Sequence, residues 1–111
     1  MYNQVYVSNE EDGFRILLGN SMGTLGNAMM PSESKFHQNG SRFTTIDKDQ
    51  DEFPENCAVR FGGGGWWYKI CYKAQLTGQY GTTDWAWPWY PTFTDGTAIK
   101  TVKMMLRRKA L

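Results

Sequence analysis

Residues 47–72, DKDQDEFPENCAVRFGGGGWWYKICY, constrain the chain more than any other stretch, because they hold both of its cysteines, a run of four glycines and an adjacent pair of tryptophans. Cys57 and Cys71 lie 14 positions apart, and between them Gly62 to Gly65 lead directly into Trp66, Trp67 and Tyr68. At the head of the same stretch Asp47, Asp49 and Asp51 alternate with Lys48 and Gln50. Carboxylates so closely spaced repel one another unless a cation sits among them, and hard oxygen donors suit calcium, which takes about 6 to 8 oxygens from carboxylates, carbonyls and water. The spacing is not that of an EF-hand loop. Glu52 stands where that loop needs glycine, Ala58 where it needs glutamate, and neither flank reads as a helix. Read from the residues alone, the segment is a metal loop or a solvated acidic turn.

The residues beyond the acidic stretch are more specific, and with them the chain resembles the fibrinogen C-terminal, or fibrinogen-related, domain. The resemblance is carried by Asn39-Gly40, Phe43-Thr44-Thr45, Asp47-x-Asp49-x-Asp51-x-Phe53, Asn56-Cys57-Ala58 and Gly63-Gly64-Gly65-Trp66-Trp67. It continues through Cys71, Leu76-Thr77-Gly78-Gln79-Tyr80, Trp85-Ala86-Trp87 and Val102-Lys103-Met104. It spans nearly the whole chain but matches only the C-terminal half of such a domain, with the N-terminal subdomain absent. The fold implied is α+β and loop-rich, with short antiparallel strands, a calcium loop and one disulfide. The family is extracellular, which implies a secreted protein and an oxidised Cys57–Cys71 pair.

The resemblance further implies calcium ligands at the carboxylates of Asp49 and Asp51 and the backbone carbonyls of Phe53 and Glu55, with Asp47 facing outward. In lectin-like members a neighbouring pocket takes the acetyl group of N-acetylated sugars. Carried over by position, its wall is Phe61, Tyr72 and Trp85, with backbone from Cys71 and Ala86, and the peptide bond Ile70-Cys71 is cis. Phe61 stands where a tyrosine is usual and Tyr72 where lectin members mostly carry histidine. Trp85 is larger than the tyrosine often found there. The competing reading makes these aromatics core, as Trp66 and Trp67 are expected to be. Val59, Arg60 and Phe61 follow Ala58, where a fibrin-type pocket for a basic peptide would need acids.

The remainder of the chain is read from its own residues. Met1 to Val7 is aromatic and β-branched, Asn9 to Gly13 is a turn, and Phe14, Ile16 and Leu18 alternate with Arg15 and Leu17, which predicts a hairpin. In Gly19 to Met30, Met22, Leu25 and Met29 fall at helical spacing, but the glycines weaken the helix. A short helix or turn is expected, with the methionines filling core. Pro31 to Ser41 is polar loop carrying His37, the lone histidine, and ends in the turn dipeptide Asn39-Gly40. Asn39-Gly40-Ser41 is also a glycosylation sequon. Arg42 to Ile46 is read as a short strand, Gly81 to Tyr90 as irregular around Pro88, and Ile99 to Leu106 as a closing strand with a frayed end after it.

Net charge is +1, so the whole chain steers no polyanion, although five bases gather between Lys100 and Lys109. They overlap the expected closing strand and read as its solvated face, which argues against nucleic-acid binding. No apolar run approaches the ~20 residues of a membrane helix, and the N-terminus has no signal-peptide pattern. No constellation of His, Ser, Cys or carboxylates suggests catalysis. Two functions remain: a secreted, calcium-stabilised module binding acetylated glycans, in an innate-immune or matrix setting, or a growth-factor-like domain using the same surface for an extracellular protein. By the resemblance, oligomers would form through the missing N-terminal regions.

Overall fold

The computed structural model describes residues 1–62, 64–78, 88–90, 92–93 and 99–108. Its regular elements are few and short: strands β1 (Val5–Val7) and β2 (Ile16–Leu18), 3-10 turns at Glu10–Asp12 and Ser34–Phe36, and helix α1 (Cys57–Arg60). The rest of the described chain is turns and loops fixed by side chains. Low helix and strand content with one disulfide is the loop-rich α+β architecture expected.

The hairpin forms as predicted, in an antiparallel register that sets Val5 against Leu18, Tyr6 against Leu17 and Val7 against Ile16. Its connection is built from polar residues. The Asn9 side chain accepts from the N–H of Asp12, and Gly13 ends the 3-10 turn at φ +71°. Arg42 and Gln50 pack so tightly over Gly13 that any side chain there would collide with them. On β2, Ile16 is buried while Leu17 faces solvent, the alternation of a strand covered on one face. All three residues of β1 are exposed.

The core lies between the two cysteines and just beyond them. Ala28, Met29, Cys57, Ala58, Trp66, Tyr68, Cys71, Tyr72 and Ala74 form one buried cluster, with Trp67 packed on its flank. The glycine run allows the chain to pass closely beneath its neighbours, since a Cβ at Gly64 would run into the carbonyl of Thr77. The indole of Trp66 donates to the Ala74 carbonyl at 2.6 Å, and that of Trp67 donates to the Phe14 carbonyl at 2.8 Å, tying the hairpin to the core. Gln38, fully buried, donates to the carbonyls of Trp67 and Ala74 and accepts from the N–H groups of Lys73 and Ala74.

Four expectations change. The first strand begins only at Val5, with Tyr2 making an isolated bridge to Ser21. Of the helix or turn expected in Gly19 to Met30 the chain takes the turn, at Ala28 and Met29, because Gly23 and Gly26 take φ of +129° and +79°, which breaks the helical path. Of its apolar residues Ala28 and Met29 enter the core, while Met22 and Leu25 are exposed. Within 42–46 the chain pairs only at Thr44 with Trp66 and at Thr45 with Lys48, because the acidic loop turns back immediately. Residues 99–108 form no strand, and Val102, Met104, Met105 and Leu106 are exposed, because no described strand lies beside them. Gly81 to Trp87 and the last three residues lie outside the described residues. Among the described residues no helix is long and apolar enough to cross a membrane.

Candidate functional site: the acidic loop and the disulfide junction

Thr44, Thr45 and Asn56 shape the acidic loop from beneath. The Thr44 hydroxyl accepts from the N–H of Gln50 at 2.9 Å, and Thr45 and Lys48 exchange backbone bonds that close the turn. Asn56 donates to the carbonyls of Thr45 at 2.8 Å and Ile46 at 3.4 Å, while its oxygen accepts from the N–H groups of Ala58 and Val59. One side chain thus caps α1 and holds both ends of the loop together.

Within this frame the aspartates differ. Asp47 is exposed and accepts from the Thr45 hydroxyl at 2.7 Å, a bond that lowers its pKa. It belongs to the turn and faces outward. Asp49 accepts from the N–H of Asp51 at 3.2 Å. Asp51 is half-buried, and its two oxygens accept from the N–H groups of Phe53 at 2.9 Å and Cys57 at 3.0 Å. Desolvation, with the neighbouring Asp49 charge as a smaller contribution, raises its pKa above the ordinary 3.8 despite those two donors.

Asp51, costly to ionise beside the Asp49 charge, suits a cation. Among the described residues no hydrogen bond ends on the carbonyl of Phe53 or Glu55, so both oxygens retain free lone pairs. No group of three or more acidic, His or Cys side chains converges on a metal position among the described residues. Two carboxylates supplemented by carbonyls and water fit a hard cation such as calcium and do not fit zinc, whose sites are built from Cys, His and carboxylate side chains.

The loop leads directly into the disulfide. Cys57 and Cys71 are bonded, with Cα atoms 5.7 Å apart. The Ile70-Cys71 peptide is cis, as expected. Glu52 N–H donates to the Lys69 carbonyl, and Lys69 N–H to the Cys71 carbonyl, so the acidic loop and the second cysteine share one backbone network. The N–H of Cys71 itself meets no acceptor among the described residues.

Of the five expected wall residues, Phe61, Cys71 and Tyr72 come together, whereas Trp85 and Ala86 lie outside the described residues. The Phe61 and Tyr72 rings meet edge-on with centroids 5.5 Å apart, and Tyr68 approaches Tyr72 at 6.0 Å. Gln75 fixes this group by donating to the Phe61 carbonyl and the Tyr68 hydroxyl. The Arg60 guanidinium lies over the Phe61 ring at 5.6 Å and pairs loosely with Glu55 at 3.9 Å. The sequence did not single out Gln75, and it noted Arg60 only as standing where a fibrin-type pocket would need an acid. A buried glutamine leaves no pattern, and Arg60 is exposed by the end of a helix that was itself unforeseen.

Asn39, the glycosylation candidate, uses its amide within the fold. Its oxygen accepts from the N–H of Leu18 at 2.7 Å and its nitrogen donates to the Leu18 carbonyl at 3.3 Å. A glycan on that nitrogen would compete with the second bond.

Comparison with known proteins places the chain. The model of the C-terminal globular domain of fibrinogen beta and gamma chains matches residues 1–109. Fibroleukin from Bos taurus is 33% identical over 98% of this chain, and human Fibrinogen C domain-containing protein 1 is 39% identical over 67% of it. The chain spans only 27% and 14% of those two proteins. Among solved structures, the fibrinogen-like globe domain of human ANGPTL2 superposes with a TM-score of 0.70 at 27% identity, covering 87% of this chain and 44% of that one. The chain belongs to the fibrinogen C-terminal globular domain family.

Proposed function

We propose that this chain is part of an extracellular, non-enzymatic recognition module in which calcium on the acidic loop holds a site for acetylated carbohydrates. Calcium would be held by the carboxylates of Asp49 and Asp51 and the carbonyls of Phe53 and Glu55. Its chemistry there is structural, neutralising the carboxylate pair and fixing the loop. Asp51 carries that order to α1 through the N–H of Cys57. From Cys57 the disulfide carries it to Cys71.

The observation that carries the reading is the Cys71 N–H, without an acceptor among the described residues, next to the Phe61–Tyr72 ring pair. A donor beside an apolar wall suits an acetyl group, whose carbonyl accepts and whose methyl packs on rings. The extracellular setting is supported by the disulfide, since such bonds persist in oxidising compartments. It is supported also by membership of the family.

A second reading has its own observation. Tyr72 is only 5% exposed and Phe61 packs against it, so the two rings also read as core, which leaves recognition to the exposed surface around them and to a protein partner. Chromatography on immobilised N-acetylglucosamine separates the two. Retention in calcium, with release by chelator and by free acetate, is the expected result. Flow-through in calcium would leave the protein-binding reading.

A further inference from the structure

We propose that the groove between the acidic loop and the Gly40–Arg42 turn binds a sulfate or phosphate ester on a sugar-sized molecule. The groove has a volume of about 310 Å³ and shares no residue with the Phe61–Tyr72 wall. Arg15, His37, Ser41, Arg42 and Lys69 line it, facing Asp51 and Glu52. This volume suits one sugar ring with its substituent better than a bare ion.

The class of ligand is set by which lining groups are already committed. Arg15 is held by Asp12 at 3.2 Å and donates to the Gly40 carbonyl at 2.6 Å, so it shapes the wall. Both oxygens of Asp51 receive backbone N–H groups. The Gln50 amide donates to the Phe43 carbonyl at 2.6 Å. The remaining groups are mostly donors. The Arg42 guanidinium makes no ion pair with any described residue. The Cγ and Cδ of its stem lie over Gly13. Among the described residues the Lys69 ammonium pairs only with Glu52, at 3.8 Å, and Glu52 is largely exposed. Ser41 and His37 add hydrogen-bonding groups at the same wall.

Arginine and lysine side chains that line one groove with only loose counter-ions recognise a compact oxyanion, and a planar guanidinium pairs with it through two bonds. Arg42 is the specificity-determining residue and Lys69 the second contact.

The test uses the whole 111-residue chain. Isothermal titration with glucose 6-sulfate, glucose 6-phosphate and plain glucose is run in calcium and again in chelator. None of these probes carries an acetyl group, so failure here and failure of the acetyl reading are separate events. Either ester is expected to bind and glucose not to, and the preferred ester identifies the source. Arg42→Gln should weaken binding about tenfold or more, the loss of a charge-assisted pair, while Arg42→Lys, which keeps the charge but loses the two-bond fork, recovers only part of it. Arg42 is exposed, so neither change threatens folding. Lys100→Gln, outside the groove, should leave binding unchanged. Absence of ester binding in both buffers overturns the proposal, as does an equal loss in Lys100→Gln and Arg42→Gln, which would mean diffuse charge attraction.

Discussion

Asp51 does more than a ligand role alone requires. Both of its oxygens receive backbone N–H groups, one from the loop and one from the first residue of α1. Asp51→Ala should therefore destabilise the chain by about 1–3 kcal/mol in chelator as well as in calcium, because two N–H groups lose their acceptor. Asp49 accepts only one backbone bond and is exposed, so Asp49→Ala should cost little in chelator and act mainly through calcium. Urea titrations of both variants in the two buffers separate these effects. The raised pKa of Asp51 adds a pH dependence, since calcium must compete with the proton. Affinity should weaken as pH falls through a value above the ordinary 3.8. Two tyrosines set the alkaline limit. Burial pushes Tyr2 and Tyr68 from 10.0 up to about 12. A folded pKa above the unfolded one means that their contribution is complete below pH 10.0 and is lost as pH rises through about 12. Stability measured across that range should fall, and Tyr2→Phe should flatten the fall.

At the scale of elements, side chains and one covalent bond hold what short strands cannot. The Cys57–Cys71 bond closes a loop of 15 residues, so reduction should cost ~3 kcal/mol in the chain-entropy model. Denaturant midpoints with and without reductant measure it. The hairpin was legible because alternation from Phe14 to Leu18 and the polar turn at Asn9–Gly13 pointed the same way. The disulfide and the cis peptide were legible only through the family resemblance. Helix α1 was not legible, since four residues carry no periodicity, although Asn56 before Cys57 was its available signal. Between the helix and the turn expected in Gly19 to Met30 the turn wins, because helical spacing at Met22, Leu25 and Met29 cannot offset glycines at positive φ. Gln38 was read only as part of a polar loop, yet its four backbone bonds hold the loop from Trp67 to Ala74.

At the scale of the whole molecule, the chain keeps considerable apolar surface in water. The described sheet has two strands, so β1 presents a free outer edge beside exposed Val5, Tyr6 and Val7, and Val102 to Leu106 add a second apolar stretch. Such an edge favours self-association. Tyr6→Lys should reduce light scattering at high protein concentration without lowering the melting temperature. The central claim is that calcium on the acidic loop orders the region that carries the recognition wall. Thermal melts of the oxidised chain in ~10 mM calcium and in chelator test it most directly. With affinity of roughly 0.1 to 1 mM, calcium at that level should add about 1.4 to 2.7 kcal/mol, a rise of several degrees. The account predicts one cooperative transition that shifts upward with calcium in the parent chain and does not shift in Asp49→Ala. A transition indifferent to calcium, or the same shift in Asp49→Ala, would contradict it.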